Sequence, residues 1–357
     1  MQLTKLTIEN FRGISKLEID DLKRINLFSG ENNMGKTTVL EALFQLMAVM
    51  PSNLNVLNKF RNHWKEQPFL PEYFFYNLNL TEIKVAGFFN EKYNRTLSLT
   101  PKYGNDLMAL NSISVNWENI MTGIDAKLVE REKGNRYESV CSSIFDKDIG
   151  IKDMPIEGKK FQLKAKFHCN FPSFKIFEHG NLVQTLAALI NSRNEGIIVK
   201  FLKPIDERIQ GIKLNGADIM IDIAGLPKLL PIQLAGDGLR RILSILLSIY
   251  GVGKGGLVMI DEIENGLHYS TMPKLWKAIL YAANEMDVQV FLTTHNEELL
   301  RSLADVAELP EYTHLQNDLR YYNLKRYNTG EANEEMTAYK YDFEKFDYLT
   351  DQRTEIR

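Results

Sequence analysis

Hydrophobic positions along the chain form short apolar runs that alternate with longer segments of helical spacing. Residues 25–28, 257–260 and 288–292 are short apolar runs, typical of strands that are buried on both faces of a parallel sheet. Apolar residues recur at helical spacing over 39–47 and over 270–286, where Ser270 is a candidate N-cap and Pro273 lies in the first turn. Strands that alternate with helices in this way predict parallel βαβ units and an α/β fold.

The segment from residue 51 to residue 194 follows a different pattern. Stretches such as 112–120 and 161–177 alternate with a period near two, which predicts short β-strands, and a helix is expected over 182–190. No sustained heptads are visible, so a coiled-coil arm is not expected. Aromatic residues cluster over 71–80, and burial in a core is favoured over an exposed patch that stacks bases or docks a partner.

Composition and charge are those of an ordinary globular protein and argue against several other classes of protein. The chain has 357 residues, of which 44% are hydrophobic and 25% charged, with a net charge of −3. This balance argues against a surface coated in basic residues for nucleic acid, and the pairs Lys159–Lys160 and Arg240–Arg241 are interpreted as solvated surface. The two cysteines, Cys141 and Cys169, have no metal-ligand spacing and form no disulfide framework. Without a membrane-spanning apolar run or a signal peptide, we expect a cytoplasmic protein with no membrane partner.

Residues 30–37, GENNMGKT, match the phosphate-loop pattern G-x-x-x-x-G-K-[ST] in full, between a predicted strand and a predicted helix. The two glycines let the backbone curl so that successive N–H groups point at a polyphosphate. Lys36 can reach the β- and γ-phosphates, and the Thr37 hydroxyl can ligate Mg²⁺. The predicted nucleotide-binding residues are Gly30, Asn32, Asn33, Met34, Gly35, Lys36, Thr37 and Thr38.

Polar residues follow the two later strands at the ends where a ligand is expected. Asp261 comes directly after the run 257–260 and can hold the metal, while Glu262 can orient or deprotonate the attacking water. His295 follows the run 288–292 at the same sheet edge, the edge at which doubly wound sheets bind ligands, and could hydrogen-bond a γ-phosphate. The candidate metal ligands are therefore Thr37 and Asp261, and the candidate catalytic residues are Lys36, Glu262 and His295.

Together these motifs resemble the ATP-binding-cassette (ABC) type ATPases of the RecF, structural-maintenance-of-chromosomes (SMC) and overcoming-lysogenization-defect (OLD) group, most of all its small AAA15 members. The opening LTIENFRG, residues 6–13, is similar to the first strand of that group. Residues 261–268, DEIENGLH, resemble its Walker B motif and D-loop, and residues 293–295 its switch histidine. The tail from 341 to 357 is similar to the ending of these small proteins.

The resemblance implies an α/β fold with an ABC-type P-loop ATPase head, a mixed sheet flanked by helices, and an inserted β-rich and α lobe. It also implies ATP and Mg²⁺ as cofactors. The expected division is residues 1–50 with the phosphate loop, residues 51–194 as the inserted lobe, and residues 195–357 with the signature loop, Walker B motif and switch histidine.

The resemblance further implies a signature loop that completes the nucleotide site of a neighbouring subunit. The candidate is LAGDG, residues 234–238, ahead of a helix from Leu239, with Gly236, Asp237 and Gly238 as the contacts to nucleotide. Ala235 departs from the serine that many members of the wider superfamily carry. A loop that works in trans predicts a head-to-tail dimer around two ATP molecules; the alternative is a loop-to-helix turn with no ligand.

Three functions fit such an ATPase. One is nucleotide-gated dimerisation that switches a separately encoded effector or nuclease in bacterial anti-phage defence; another is RecF- or SMC-like binding of DNA in repair or chromosome maintenance. The third, an OLD-type nuclease, is disfavoured because the 62 residues after His295 show no glutamate-then-DxD pattern. The mild acidity and the absence of heptads favour the first function.

ATP rather than GTP is expected from the resemblance alone. The sequence of the tail predicts a β-hairpin around residues 329–330 and a short acidic helix. The tail could close the sheet, which is favoured, or dock an effector.

Overall fold

Two large β-sheets and the helices around them make up the computed structural model. It describes residues 1–60, 71–90, 92–103, 121–146, 150–154, 163, 167–171, 179–328 and 334–351. The predicted strand at 112–120, most of the stretch 161–177 and the Lys159–Lys160 pair lie outside these residues.

The first sheet has seven antiparallel strands in the order β2-β1-β4-β5-β6-β7-β8. Strand β4 pairs with β1, so the strands of the middle segment continue the sheet that the N-terminal strands begin. The predicted inserted lobe therefore shares a sheet with the N-terminal segment, and its boundaries at 51 and 194 stay predictions. The strands are β1 (Leu3–Phe11), β2 (Ile14–Ile19), β4 (Ile83–Phe89), β5 (Tyr93–Tyr103), β6 (Met121–Glu132), β7 (Asn135–Asp146) and β8 (Gly150–Met154).

The second sheet has six strands in the order β16-β15-β3-β14-β13-β9, parallel except for the β15–β16 pair. In this register Phe28 lies opposite Thr293 and Ile260 opposite Leu292, so the three central strands end at the same edge, as predicted. The strands are β3 (Ile25–Ser29), β9 (Cys169–Asn170), β13 (Leu257–Ile260), β14 (Gln289–Thr293), β15 (Leu319–Asn328) and β16 (Glu334–Tyr341); β10 (Ile209–Asn215), β11 (Asp218–Ile223) and β12 (Leu230–Pro231) form a small third sheet.

The side chains of the second sheet divide between two hydrophobic cores. Val258 and Ile260 pack into the core that contains the apolar faces of α5, α6 and α7, whereas Leu257 and Met259 pack into the core of α1 and the first sheet. Helix α1 therefore lies between the two sheets, with the phosphate loop at its N-terminus. The helices are α1 (Lys36–Ala48), α2 (Leu54–Phe60), α3 (His179–Asn191), α4 (Gly196–Leu202), α5 (Asp237–Val252), α6 (Met272–Glu285), α7 (Glu297–Ala307) and α8 (Phe343–Asp351).

Two helix starts differ from the predictions. Helix α5 begins at Asp237 rather than Leu239, with Gly236 as the N-cap, and an acidic residue in the first turn is favourable to the helix dipole. The N-cap of α6 is Thr271, so the prediction of Ser270 was wrong. The Ser270 hydroxyl instead lies 2.9 Å from Nδ1 of His268, within a 3₁₀ turn ahead of the helix. Pro273 lies in the first turn of α6, as predicted.

The aromatic cluster and the C-terminal tail serve the fold. Phe74, Phe75 and Tyr76 are buried, which confirms the interpretation as core for these three residues, whereas Tyr73 is exposed. Strands β15 and β16 form the predicted hairpin, and β15 pairs with β3, so the tail closes the second sheet. Among the residues that the structure describes, no helix is both long and apolar enough to cross a membrane.

A buried group of polar side chains ties the first sheet to the end of α1. Nη2 of Arg95 lies 2.7 Å from Oε1 of Glu130, and the Tyr93 hydroxyl hydrogen-bonds the same carboxylate oxygen. Nη1 of Arg95 donates to the carbonyl oxygen of Leu46, one turn from the end of α1, at 3.4 Å. Because Arg95 and Glu130 are almost fully buried, each charge depends on the other for compensation.

Replacing Glu130 by alanine should therefore lower the free energy of unfolding by about 3–5 kcal/mol, the cost of leaving a buried charge without its partner. Urea denaturation measures this loss. The matched control is Glu138→Ala, which removes a solvent-exposed partner of Lys127 and Arg136 on the same sheet and should leave the midpoint unchanged. Equal midpoints for the two variants would contradict the assigned role of Glu130.

Candidate active site

The backbone of the phosphate loop uses conformations that suit its glycines. Gly30 has φ +138°, and a Cβ there would lie 2.6 Å from the carbonyl oxygen of Leu324. Gly35 has φ +82° and is the N-cap of α1, and no side chain caps this helix. The N–H groups of the first turn of α1 are therefore available to an anion, because a helix leaves them without intrahelical partners.

Lys36 lies within the curl of this loop. Its Nζ donates to the carbonyl oxygens of Gly30 at 2.7 Å and Glu31 at 2.9 Å. Burial lowers the pKa of Lys36, and the nearby carboxylates of Glu264, Asp261 and Glu262 oppose that shift. The first residue of α1 is thus within electrostatic reach of the acids that follow β13.

Thr37 and Asp261 meet directly. The Thr37 hydroxyl lies 3.0 Å from both carboxylate oxygens of Asp261, and the Thr293 hydroxyl donates to Oδ1 of Asp261 at 2.6 Å. Burial raises the pKa of Asp261, the two threonine hydroxyls lower it, and the carboxylates of Glu262 and Glu41 raise it further. The ends of β13 and β14 and the start of α1 therefore converge on one carboxylate.

Glu262 is held in an unusual backbone conformation. Its φ is +44°, in the left-handed region that a residue with a side chain rarely adopts. Its N–H donates to the Thr293 hydroxyl at 2.8 Å, and its Oε2 accepts a hydrogen bond from the Asn265 side-chain amide. Strained backbone conformations that surrounding contacts maintain are common at functional sites. Here the conformation of Glu262 sets the direction of its side chain just after β13 ends.

Arg241 is a residue of this site that its sequence context did not reveal. It is 4% exposed, and its Nη2 donates to the carbonyl oxygens of Asp261 at 3.0 Å and Glu262 at 3.3 Å. Burial lowers the pKa of its guanidinium to about 10. The interpretation of Arg240–Arg241 as solvated surface was therefore wrong for Arg241, which joins α5 to the acidic pair.

His295 lies at the same edge, next to a second carboxylate. Its Nδ1 is 3.0 Å from Oε1 of Glu264, and its backbone N–H donates to the same oxygen at 2.9 Å. The structure thus gathers the predicted residues Lys36, Thr37, Asp261 and His295 around one sheet edge. No periodicity in the sequence pointed to Glu264, because its contact depends on how the turn after β13 folds back on β14.

Two family models match consecutive parts of the chain. Residues 1–171 match the model described as "AAA ATPase domain", and residues 173–301 match a model described as an "AAA domain" that also refers to the AbiEii toxin and a Type IV TA system. An "ATP/GTP phosphatase" of Helicobacter pylori is 26% identical over 341 residues, which cover 87% of this chain and 90% of that relative. The chain is an ATPase that matches AAA domains along most of its length.

Two further proteins are similar to this ATPase. The "DNA replication and repair protein RecF" of Lactobacillus acidophilus is 46% identical over 46 residues, which are 13% of this chain and 12% of RecF. The solved Smc head domain from Pyrococcus furiosus, bound to the C-terminal domain of ScpA, covers 99% of each chain at 10% identity with a TM-score of 0.48. The likeness to RecF is confined to a short segment, whereas the match to the phosphatase spans most of both chains.

The donor set of this ATPase suits Mg²⁺ and a nucleotide. Mg²⁺ prefers oxygen ligands, and Thr37 and Asp261 place a hydroxyl and a carboxylate side by side. The side chains of Asn32 and Asn33 are exposed on the phosphate loop. Met34 packs partly against the core of α1, and Thr38 is buried. The two asparagine side chains are therefore the more accessible to a ligand from solvent. The binding and catalytic roles of all these residues stay predictions.

The candidate signature loop of this ATPase lies beside the D-loop. A Cβ on Gly238 would lie 3.7 Å from Leu267 and 3.8 Å from Thr271, so the two segments are neighbours. Asp237 forms an ion pair with Arg240 within the first turn of α5. The loop begins α5, and Arg241 of α5 contacts the backbone of Asp261 and Glu262 in the same chain. The role of the loop toward a second subunit stays a prediction.

Proposed function

We propose that this ATPase binds Mg²⁺–ATP at the edge described above and that two copies associate head-to-tail around two ATP molecules. Lys36 contacts the phosphates, Thr37 and Asp261 hold Mg²⁺, Glu262 orients and deprotonates the attacking water, and His295 contacts the γ-phosphate. When bound, Mg²⁺ supplies positive charge that balances the phosphates. Gly236, Asp237 and Gly238 of each copy face the nucleotide of the other.

The observation that carries the head-to-tail proposal is the open space around Gly236, the N-cap of α5. Gly236 has φ −62° and ψ 151°, which any residue adopts, and a Cβ there would meet nothing within 4 Å among the described residues. The N-cap of α5 does not require glycine, because Asn, Asp and Ser cap helices at least as well. The open space at Gly236 leaves room for the close approach of a ligand. Leu234, two residues before it, is 72% exposed, and Tyr269, directly after the D-loop, is 65% exposed. Exposed apolar residues around the loop fit a surface that a second copy covers.

We further propose that ATP-dependent association switches a separately encoded effector or nuclease in anti-phage defence. Support comes from the family model for residues 173–301, whose description refers to a toxin and a TA system. The short RecF match covers 13% of the chain and supports direct DNA binding less. The name of the Helicobacter pylori relative includes both ATP and GTP, so the base preference is part of what needs testing.

Sedimentation of the Glu262→Gln variant tests the association. With Mg²⁺–ATP we expect the mass to double, because ATP stays bound when hydrolysis is blocked, and without nucleotide we expect a single copy. The same variant is then the bait for the effector, since the ATP-bound dimer is the form we expect the effector to recognise. A Glu262→Gln protein that binds ATP but keeps the mass of one copy would contradict the head-to-tail proposal.

Two substitutions at Gly236 sharpen this test. Gly236→Asp keeps a good N-cap for α5 but adds a carboxylate where the partner's phosphate is expected, whereas Gly236→Ser keeps the cap without the charge. In the Glu262→Gln background, the aspartate should abolish ATP-dependent dimers and the serine should retain them, with the thermal midpoints of both near that of the parent. Dimers that form equally well with aspartate would place Gly236 outside the nucleotide interface.

A further inference from the structure

We propose that Glu264 is a positioning residue for His295: its buried carboxylate holds the Nδ1–H of the ring and leaves Nε2 as the nitrogen that contacts the nucleotide. The proposal rests on the proposed function for the role of His295 toward ATP. The pairing of the two side chains stands on the structure itself.

The contacts of Glu264 fix the histidine at two points. Oε1 of Glu264 lies 2.9 Å from the backbone nitrogen of His295 and 3.0 Å from its ring Nδ1. One oxygen thus holds both the main chain and the ring, which restricts the rotation of the ring about its side-chain torsions. Asn296, the next residue, caps α7 through the N–H of Leu299 at 3.1 Å, so the main chain beyond His295 is also fixed.

The burial of Glu264 is difficult to explain by fold stability alone. Its side chain is 7% exposed, whereas that of His295 is 49% exposed. Oε2 of Glu264 is buried and has no hydrogen-bond partner among the described residues. Lys36 and Arg241 lie close enough to interact electrostatically with this carboxylate. A buried carboxylate with one unused oxygen is unfavourable, and such groups concentrate where a protein needs a charge for its function.

The chemistry of the pair follows from the two ring nitrogens. A carboxylate accepts hydrogen bonds and does not donate them, so the proton of the neutral ring must reside on Nδ1. Nε2 is then the ring nitrogen that faces the nucleotide, and it donates a hydrogen bond to a phosphate oxygen in the form of the ring that carries a proton on both nitrogens. In that form the ring lies between two anions, the carboxylate of Glu264 and the γ-phosphate, and both attract its positive charge.

The tautomer of His295 tests the pairing without any nucleotide. In the full chain labelled with ¹⁵N-histidine, two-dimensional NMR at alkaline pH reports which ring nitrogen carries the proton, and the spectrum of His295→Ala identifies the signals of His295 among the six histidines. We expect the Nδ1–H form in the wild type and in Glu264→Gln, whose amide oxygen still accepts the hydrogen bond. We expect loss of that form in Glu264→Ala. The exposed Glu298→Ala, in the first turn of α7, is the matched control and should retain it.

ATP hydrolysis tests what the pairing does. We expect kcat to fall roughly ten- to a hundredfold in Glu264→Ala with KM nearly unchanged, the size of loss known for removing the hydrogen-bond partner of a metal-binding histidine. The double variant with His295→Ala should be no slower than His295→Ala alone, because the two residues act as one unit. An Nδ1–H ring that persists in Glu264→Ala, or losses in kcat that multiply in the double variant, would overturn the proposal. Because the NMR measurement needs no ATP, failure of the proposed function would leave its result standing.

Discussion

Glu262→Gln is expected to lower the rate of ATP hydrolysis by about 100-fold or more while ATP still binds, because a positioned general base contributes roughly 10²- to 10⁴-fold. Glu262 follows β13 with its backbone in a left-handed conformation. Thr293 and Arg241 contact its backbone N–H and carbonyl oxygen, and the Asn265 amide contacts its carboxylate. Glutamine preserves the shape and the acceptor oxygen of that side chain but cannot take a proton from water. The effect should therefore appear in kcat rather than in binding.

A phosphate-release assay on purified protein measures this loss. Glu308→Gln, an exposed residue at the C-cap of α7, makes the same chemical change away from the sheet edge and should hydrolyse ATP at the wild-type rate. If Glu262→Gln retained more than about a tenth of wild-type activity, Glu262 would not act as the general base.

Lys36→Ala is expected to weaken ATP binding by roughly 10- to 100-fold, which corresponds to the loss of about 1.5–3 kcal/mol from a hydrogen bond to a charged group. The ammonium group of Lys36 lies against the carbonyl oxygens of Gly30 and Glu31, within the loop that is expected to hold the phosphates. Lys254→Ala is the matched control, because this exposed lysine lies just after α5 in a glycine-rich segment, residues 251–256, that lacks the phosphate-loop spacing. Fluorescence titration with a labelled ATP compares the two variants, and equal affinities would contradict the role of Lys36.

The positions of the main site residues could be predicted because parallel strands impose a simple geometry. Strands β3, β13 and β14 are short and buried on both faces, so each is a mainly apolar run, with Asn26 and Gln289 as polar members, and polar residues follow it. The ends of such strands share one edge, which brings Lys36, Asp261 and His295 to the same place although they are far apart in the sequence.

The pattern of apolar runs did not identify residues that support the site by holding other site residues in place. Arg241 and Glu264 are both buried charges whose partners are backbone groups or a side chain on another element, and neither local pattern nor spacing records such contacts. Thr293 was part of a recognised motif, but its hydroxyl links Asp261 to Glu262 only after β13 and β14 pair. These contacts arise from tertiary packing.

The division of the chain into an ATPase head and an inserted lobe was also harder to predict than the strands themselves. Periodicity identified β-type stretches in the middle segment, but the pairing of β4 with β1 joins residues about eighty positions apart and is not recorded in either strand alone. The segment that interrupts the two halves of the nucleotide site thereby shares one sheet with the first of them.

The measurement that tests the central claim most directly is a titration of labelled ATP, with Mg²⁺ present, into the wild type, Lys36→Ala and Asp261→Asn. We predict one ATP per chain in the wild type and weaker binding in both variants, because Lys36 and Asp261 serve the same Mg²⁺–ATP complex. No uptake of ATP by the wild type, or wild-type affinity in both variants, would contradict the assignment of this sheet edge as the nucleotide site.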